Sequence, residues 1–170
     1  PQGLPPPRPG ERIGSAPGGV FEQLESVVEP LRKIANEIDA GSGLIPRLMA
    51  QGFGGPVYAT RATCELLGVM LPDSGYLQEK EAEREGGEPL YTLEQAQQSL
   101  ERLQAVDYGE ELRPHPSVRC RWLDAGHILG SAILDIRIGS AKLVFSGDLG
   151  QPGHPVVNDP TAVAEADVLL

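Results

Sequence analysis

From residue 21 the apolar positions Phe21, Leu24, Val28, Leu31, Ala35 and Ile38 recur in steps of three and four, which is the spacing of one helical face. Pro30 falls inside the stripe and predicts a kink or the first turn of a second helix. Fewer than three heptads are present, so the pattern predicts one amphipathic element against a core or partner and not a coiled coil. Farther on, Leu44 to Gln51 reads as a short helix stopped by Gly52, and Pro56-Val57-Tyr58-Ala59 as a short buried strand. Thr60 is placed to cap a helix running through Cys64, Leu67 and Met70. Gln78 to Glu85 reads as a separate exposed helix ended by Gly86-Gly87. Thr92 and Gln95 have capping-box spacing and open a helix through Leu93, Ala96, Leu100 and Leu103.

The last third changes period. Val118 to Leu123, Ala132 to Ile138 and Lys142 to Phe145 are β-rich runs, the last two joined by a Gly139-Ser140 turn, and Val168-Leu169-Leu170 opens a further buried strand. Helices alternating with strands, then consecutive strands, predict an α/β (α+β) class with a mixed sheet. Residues 1–19 are rich in Pro and Gly without a hydrophobic period and predict a disordered leader. The expected division is therefore a leader over 1–19, the amphipathic helical segment over 20–40, and a domain over 41–170. Because the final residues open a strand, that domain is expected to be a piece of a longer one.

Composition narrows the function. Hydrophobic residues make up 40 % of the 170, enough for one domain with a core. No apolar run has the length of a membrane span and the N-terminus lacks the basic start and apolar stretch of a signal peptide, so the expectation is a cytoplasmic chain without a membrane partner. Cys64 and Cys120 stand far apart in apolar contexts and predict two reduced, buried thiols. A net charge of −10 argues against holding nucleic acid on a broad basic surface. The acidic runs Gln78 to Glu88 and Glu110-Glu111 read as a solvated helix face and loop.

Candidate chemistry lies at two strand ends. His127 sits in Gly126-His127-Ile128-Leu129-Gly130-Ser131-Ala132, where the flanking glycines let the backbone turn sharply and leave the imidazole room to reach a metal. Asp148 follows the apolar run Leu143-Val144-Phe145 between Gly147 and Gly150; a carboxylate there could join two cations or cap the following loop. Each ends a strand of one hairpin array, so the two are expected to converge within several ångströms. His115, between prolines, and His154 read as loop residues, and Trp122 as core or sheet cover.

These residues in this order resemble the β-CASP branch of the metallo-β-lactamase superfamily, RNA-processing nucleases of the RNase J and mRNA 3′-end endonuclease type. Leu44-Ile45-Pro46-Arg47-Leu48 and Gly54-Gly55-Pro56-Val57-Tyr58-Ala59-Thr60 resemble the segment after that family's first metal motif. Asp73-Ser74-Gly75 with Gln78-Glu79 is similar to its acidic helix region, Asp124 to Ala132 to its third metal motif, and Phe145 to Gly150 to its fourth. The resemblance implies part of an αββα sandwich, one zinc on His127, Asp148 bridging two, and a zinc pair that activates water for attack on phosphorus. It implies RNA as substrate and a homo-oligomer or RNA-processing partner. The family's His-x-His-x-Asp-His motif is not matched: alignment on Asp39 puts Ala35, Glu37 and Ala40 where three histidines belong. The chain by itself is therefore expected neither to hold zinc tightly nor to cleave RNA. The alternatives are a non-catalytic scaffold of an RNA-processing complex and another metallo-hydrolase of the superfamily.

Overall fold

The computed structural model describes residues 41–170. The expected leader and the Phe21 to Ile38 stripe, with the segment around Asp39, lie outside the described residues. A turn of 3-10 helix, Gly41–Leu44, leads into α1 (Ile45–Ala50), with Pro46 in its first turn, where a missing N–H costs nothing. Strand β1 (Val57–Thr60) runs directly into helix α2 (Arg61–Glu85). Thr60 serves both, as the last residue of the strand and as the N-cap whose hydroxyl accepts from the Thr63 N–H. Gly86, with φ +73°, ends the helix in the left-handed conformation.

Residues 61–85 form one helix of 25 residues and not the two expected from the sequence. Pro72, Asp73, Ser74 and Gly75 all disfavour a helix interior, yet here the packing outweighs them. Leu67 and Leu71 are buried with Tyr91 and Ala96 in one core cluster, with Ile45, Leu100 and Leu103 around it, and Gly75 is buried against the Thr92–Leu93 backbone. The carbonyl that Pro72 leaves without an N–H partner is that of Gly68, on the exposed side where water can satisfy it. Ser74 accepts a 2.8 Å hydrogen bond from the Tyr91 hydroxyl, so its side chain is tied to the next segment.

Gly75 has a different task from Gly68. A methyl at Gly75 would lie 2.9 Å from the Leu93 Cα, whereas at Gly68 it would meet nothing within 4 Å. Alanine in a helix gains up to about 1 kcal/mol over glycine, and forcing a methyl against backbone costs about 1–3 kcal/mol. Urea unfolding should therefore show Gly68→Ala stabilising the chain and Gly75→Ala destabilising it; stabilisation by both would mean that α2 does not pack this closely.

Helix α3 (Leu93–Leu100) opens with the capping box read from the sequence: Thr92 Oγ1 accepts from the Gln95 N–H and Gln95 Oε1 from the Thr92 N–H. Leu103 does not continue it. It begins β2 (Leu103–Val106), which pairs in parallel with β1, Val57 opposite Leu103 and Thr60 opposite Val106. The second sheet holds β3 (Glu111–His115), β4 (Val118–Asp124), β5 (Ala132–Ile138), β6 (Ala141–Phe145) and β7 (Val168–Leu169), in that order. All neighbours are antiparallel except β6 and β7, so the sheet is mixed and the class is α+β. Glu111 thus opens a strand instead of lying in a helix or loop, and His115 ends that strand.

Val168 and Leu169 pair with β6 as a strand but are exposed, not buried as the apolar run suggested. Cys120 is buried and Cys64 only partly so; both are free, and burial pushes both thiols up from their ordinary pKa. Trp122 meets Tyr58 of β1 at 6.4 Å between ring centroids, linking the two sheets. A second buried cluster, Ala125, Ile133 and Val144 with Leu123 and Val163 against it, lies beneath the loops that carry His127 and Asp148. Among the described residues no helix is long and apolar enough to cross a membrane.

Candidate metal centre

The loop between β4 and β5 is built on Asp124. Its Oδ1 accepts from the Gly126 N–H at 2.9 Å, the Asx-turn geometry of a short carboxylate two residues before its partner. Its Oδ2 accepts from Asn158 Nδ2 at 2.9 Å, and its carbonyl from the Thr161 N–H at 2.8 Å. At the far end of the loop Ser131 Oγ accepts from the N–H groups of His127 and Ile128. The hydroxyls of Thr60 and Thr63 both donate to the Gly130 carbonyl, at 2.8 and 3.1 Å, and the Tyr108 hydroxyl donates to the Ser131 carbonyl at 2.9 Å. Burial, and then the charge of Asp124, hold the Tyr108 phenol above its usual pKa, so it stays a donor.

The flanking glycines are needed for close approach more than for freeing the imidazole. Gly126 and Gly130 have φ of +65° and +89°, a region that L side chains seldom adopt. A methyl at Gly126 would lie 2.6 Å from the Asn158 carbonyl oxygen, and one at Gly130 2.7 Å from Thr63 Oγ1. Gly150 is the tightest position: a methyl there would fall on the carbonyl of Gly126, while its own N–H donates to the Ala125 carbonyl at 2.9 Å. The loop after β6 is thus pressed backbone to backbone onto the His127 loop.

This contact brings His127 Nε2 to 3.8 Å from Asp148 Oδ2, with the two side chains 45 % and 88 % exposed. The separation is too long for a hydrogen bond. Two donors at about 2.0–2.1 Å from one tetrahedral zinc stand about 3.3 Å apart, so nitrogen and oxygen here are the right donor types at nearly that separation. They do not complete a site, since among the described residues no group of three or more His, Cys, Asp or Glu gathers around any point. His115 Nδ1 is engaged with Ser117 Oγ at 2.7 Å, and His154 Nδ1 accepts from the Val156 N–H, each in its own turn. Asp124, Ser131, Gly150, Asn158, Thr60 and Tyr108, which orient the pair, were not singled out as functional from the sequence. Asp124, Ser131 and Gly150 do lie inside the stretches that resemble the metal motifs, and Asp124 has the Asp-x-Gly spacing of a turn.

No family model matches the chain. Ribonuclease TTHA0252 of Thermus thermophilus is 35 % identical over 128 residues, 75 % of this chain. Transcription termination factor FttA is 36 % identical over 109 residues in Methanocaldococcus jannaschii and 31 % over 136 residues in Methanococcus maripaludis, covering 63 % and 79 % of the chain. The chain belongs to the β-CASP branch of the metallo-β-lactamase superfamily. As a β-CASP sequence it spans 28 % of the Thermus ribonuclease and 17 % and 20 % of those two FttA proteins.

Proposed function

We propose that this β-CASP chain supplies part of the catalytic domain of an RNA-cleaving, zinc-dependent phosphodiester hydrolase. The observation that carries the reading is the convergence of His127 and Asp148 to 3.8 Å on two loops locked by backbone contact. In that role His127 and Asp148 would be two of the protein ligands to zinc, which supplies Lewis-acid chemistry in such hydrolases. Asp124, Ser131 and Gly150 would be positioning residues, since they hold the loops and do not themselves point donors at the pair.

One observation favours a second reading, a scaffold that keeps the fold without the reaction: the described residues bring only two ligand-type side chains together where a catalytic zinc takes about three. A chimera separates the readings. Residues 43–170 are exchanged for the matched stretch of the Thermus thermophilus ribonuclease, so that the remainder of that protein supplies what this chain does not match. If the chimera folds, degrades single-stranded RNA, and loses activity to a chelator, the nuclease reading stands. A folded chimera without hydrolysis favours the scaffold.

A further inference from the structure

One face of the five-stranded sheet, covered by the Ile133 and Val144 cluster near the His127 loop, carries at its other end a concentration of exposed arginine that the overall charge conceals. Glu111 stands opposite Arg121 and Arg121 opposite Asp135, while Arg119 stands directly opposite Arg137. With a two-residue period these side chains, and Arg113 two positions from Glu111, share one face. The contacts agree: Glu111 accepts from both Arg113 and Arg121, at 2.8 and 3.1 Å. The hydrogen bond from Arg113, then that from Arg121, with the charge of Arg119 beyond, hold the Glu111 carboxyl below its ordinary pKa. Next to them Asp135 and Lys142 neutralise each other at 3.4 Å, 12 % and 11 % exposed.

What remains is four exposed arginines, Arg113, Arg119, Arg121 and Arg137, around one carboxylate, on a chain whose net charge is −10. Arg119 and Arg137 have no carboxylate within salt-bridge distance among the described residues, and like charges directly opposite on neighbouring strands destabilise a sheet. A solvated face would be served as well by alternating signs. An external polyanion removes the repulsion and uses the planar donor forks of arginine on phosphate oxygens.

We infer that the Arg113–Arg119–Arg121–Arg137 face is a docking surface for the phosphate backbone of single-stranded RNA, separate from the His127 and Asp148 loops. Arg119 lies five residues along β4 from Asp124, about 17 Å at the rise of a strand, so a strand seated here continues toward the loop end of the sheet. RNA is chosen over another polyanion on the strength of the proposed function, but binding needs no metal and is testable without cleavage.

The full chain is titrated, in EDTA, into a fluorescently labelled single-stranded RNA, and anisotropy is followed at several salt concentrations. The expected results are salt-dependent binding, at least about tenfold weaker for R119E/R137E, with the slope of log K against log salt reduced by about 1.4 for two lost phosphate contacts. R119Q/R137Q should weaken binding in the same direction, which covers the event that the charge reversal fails to fold. R47E/R84E alters net charge equally on helices α1 and α2 and should change affinity little. The inference is overturned if the wild-type chain does not bind, if both charge reversals weaken it equally, or if polyglutamate displaces the RNA as well as unlabelled RNA does. That last outcome would identify an acidic protein partner. None of these outcomes alters the chimera's cleavage result, so the two readings fail separately.

Discussion

Gly150→Ala is expected to destabilise the chain by about 3 kcal/mol, at or beyond the upper end of the usual cost of overpacking, and to part His127 from Asp148. The obstacle is space: the added methyl would fall on the Gly126 carbonyl and 2.8 Å from the His127 nitrogen. Backbone cannot rotate away as a side chain tip can, so one loop has to lift. Lifting breaks the hydrogen bond from the Gly150 N–H to the Ala125 carbonyl and opens the edge of the cluster of Ala125, Ile133 and Val144. Gly147→Ala is the comparison. There φ is +54° with nothing within 4 Å of the added methyl, so the cost is the left-handed conformation alone, about 1–2 kcal/mol. Chemical denaturation of the two variants should rank Gly150→Ala as clearly the less stable; equal midpoints would mean that the two loops are not in contact.

In the chimera with the Thermus ribonuclease, Asp148→Ala should lower RNA cleavage by more than about a hundredfold, because even residues that merely orient metal ligands cost 10–100-fold when removed. The same substitution should leave stability within about 0.5 kcal/mol, as for other surface positions. Asp148 is 88 % exposed, and among the described residues the ionisable side chain within 4 Å of it is His127, so little packing is lost with it. His127→Ala should behave alike, its imidazole being 45 % exposed and its backbone N–H held by Ser131 whatever the side chain. Steady-state cleavage rates alongside thermal melting would check both. A variant that cleaves normally, or one that loses activity only by unfolding, would remove Asp148 from the ligand set.

Short-range signals were legible in the sequence. The Thr60 cap, the Thr92 and Gln95 capping box and the Gly86 stop each depend on residues within a few positions of one another, and all are present. The β4, β5 and β6 runs were legible because period-two patterns and tight turns are local as well. What failed shares the opposite property. The continuity of α2 through Pro72 depends on Tyr91 and Leu93, more than a dozen residues away, and Leu103 leaves the helix because β1 offers it a parallel partner. No local propensity encodes either contact.

At the site the same division holds. The sequence by itself determined which two side chains, His127 and Asp148, end their strands as imidazole and carboxylate among glycines, and it determined the family resemblance, because both are properties of order and spacing. Only the tertiary structure decided that the glycines serve backbone-on-backbone contact, and that Asp124, Asn158 and Thr60 clamp the loop. It also decided that four arginines from three strands meet on one sheet face. These are relations between segments far apart in the chain, fixed by sheet register and close packing, and they exist only once the strands have paired.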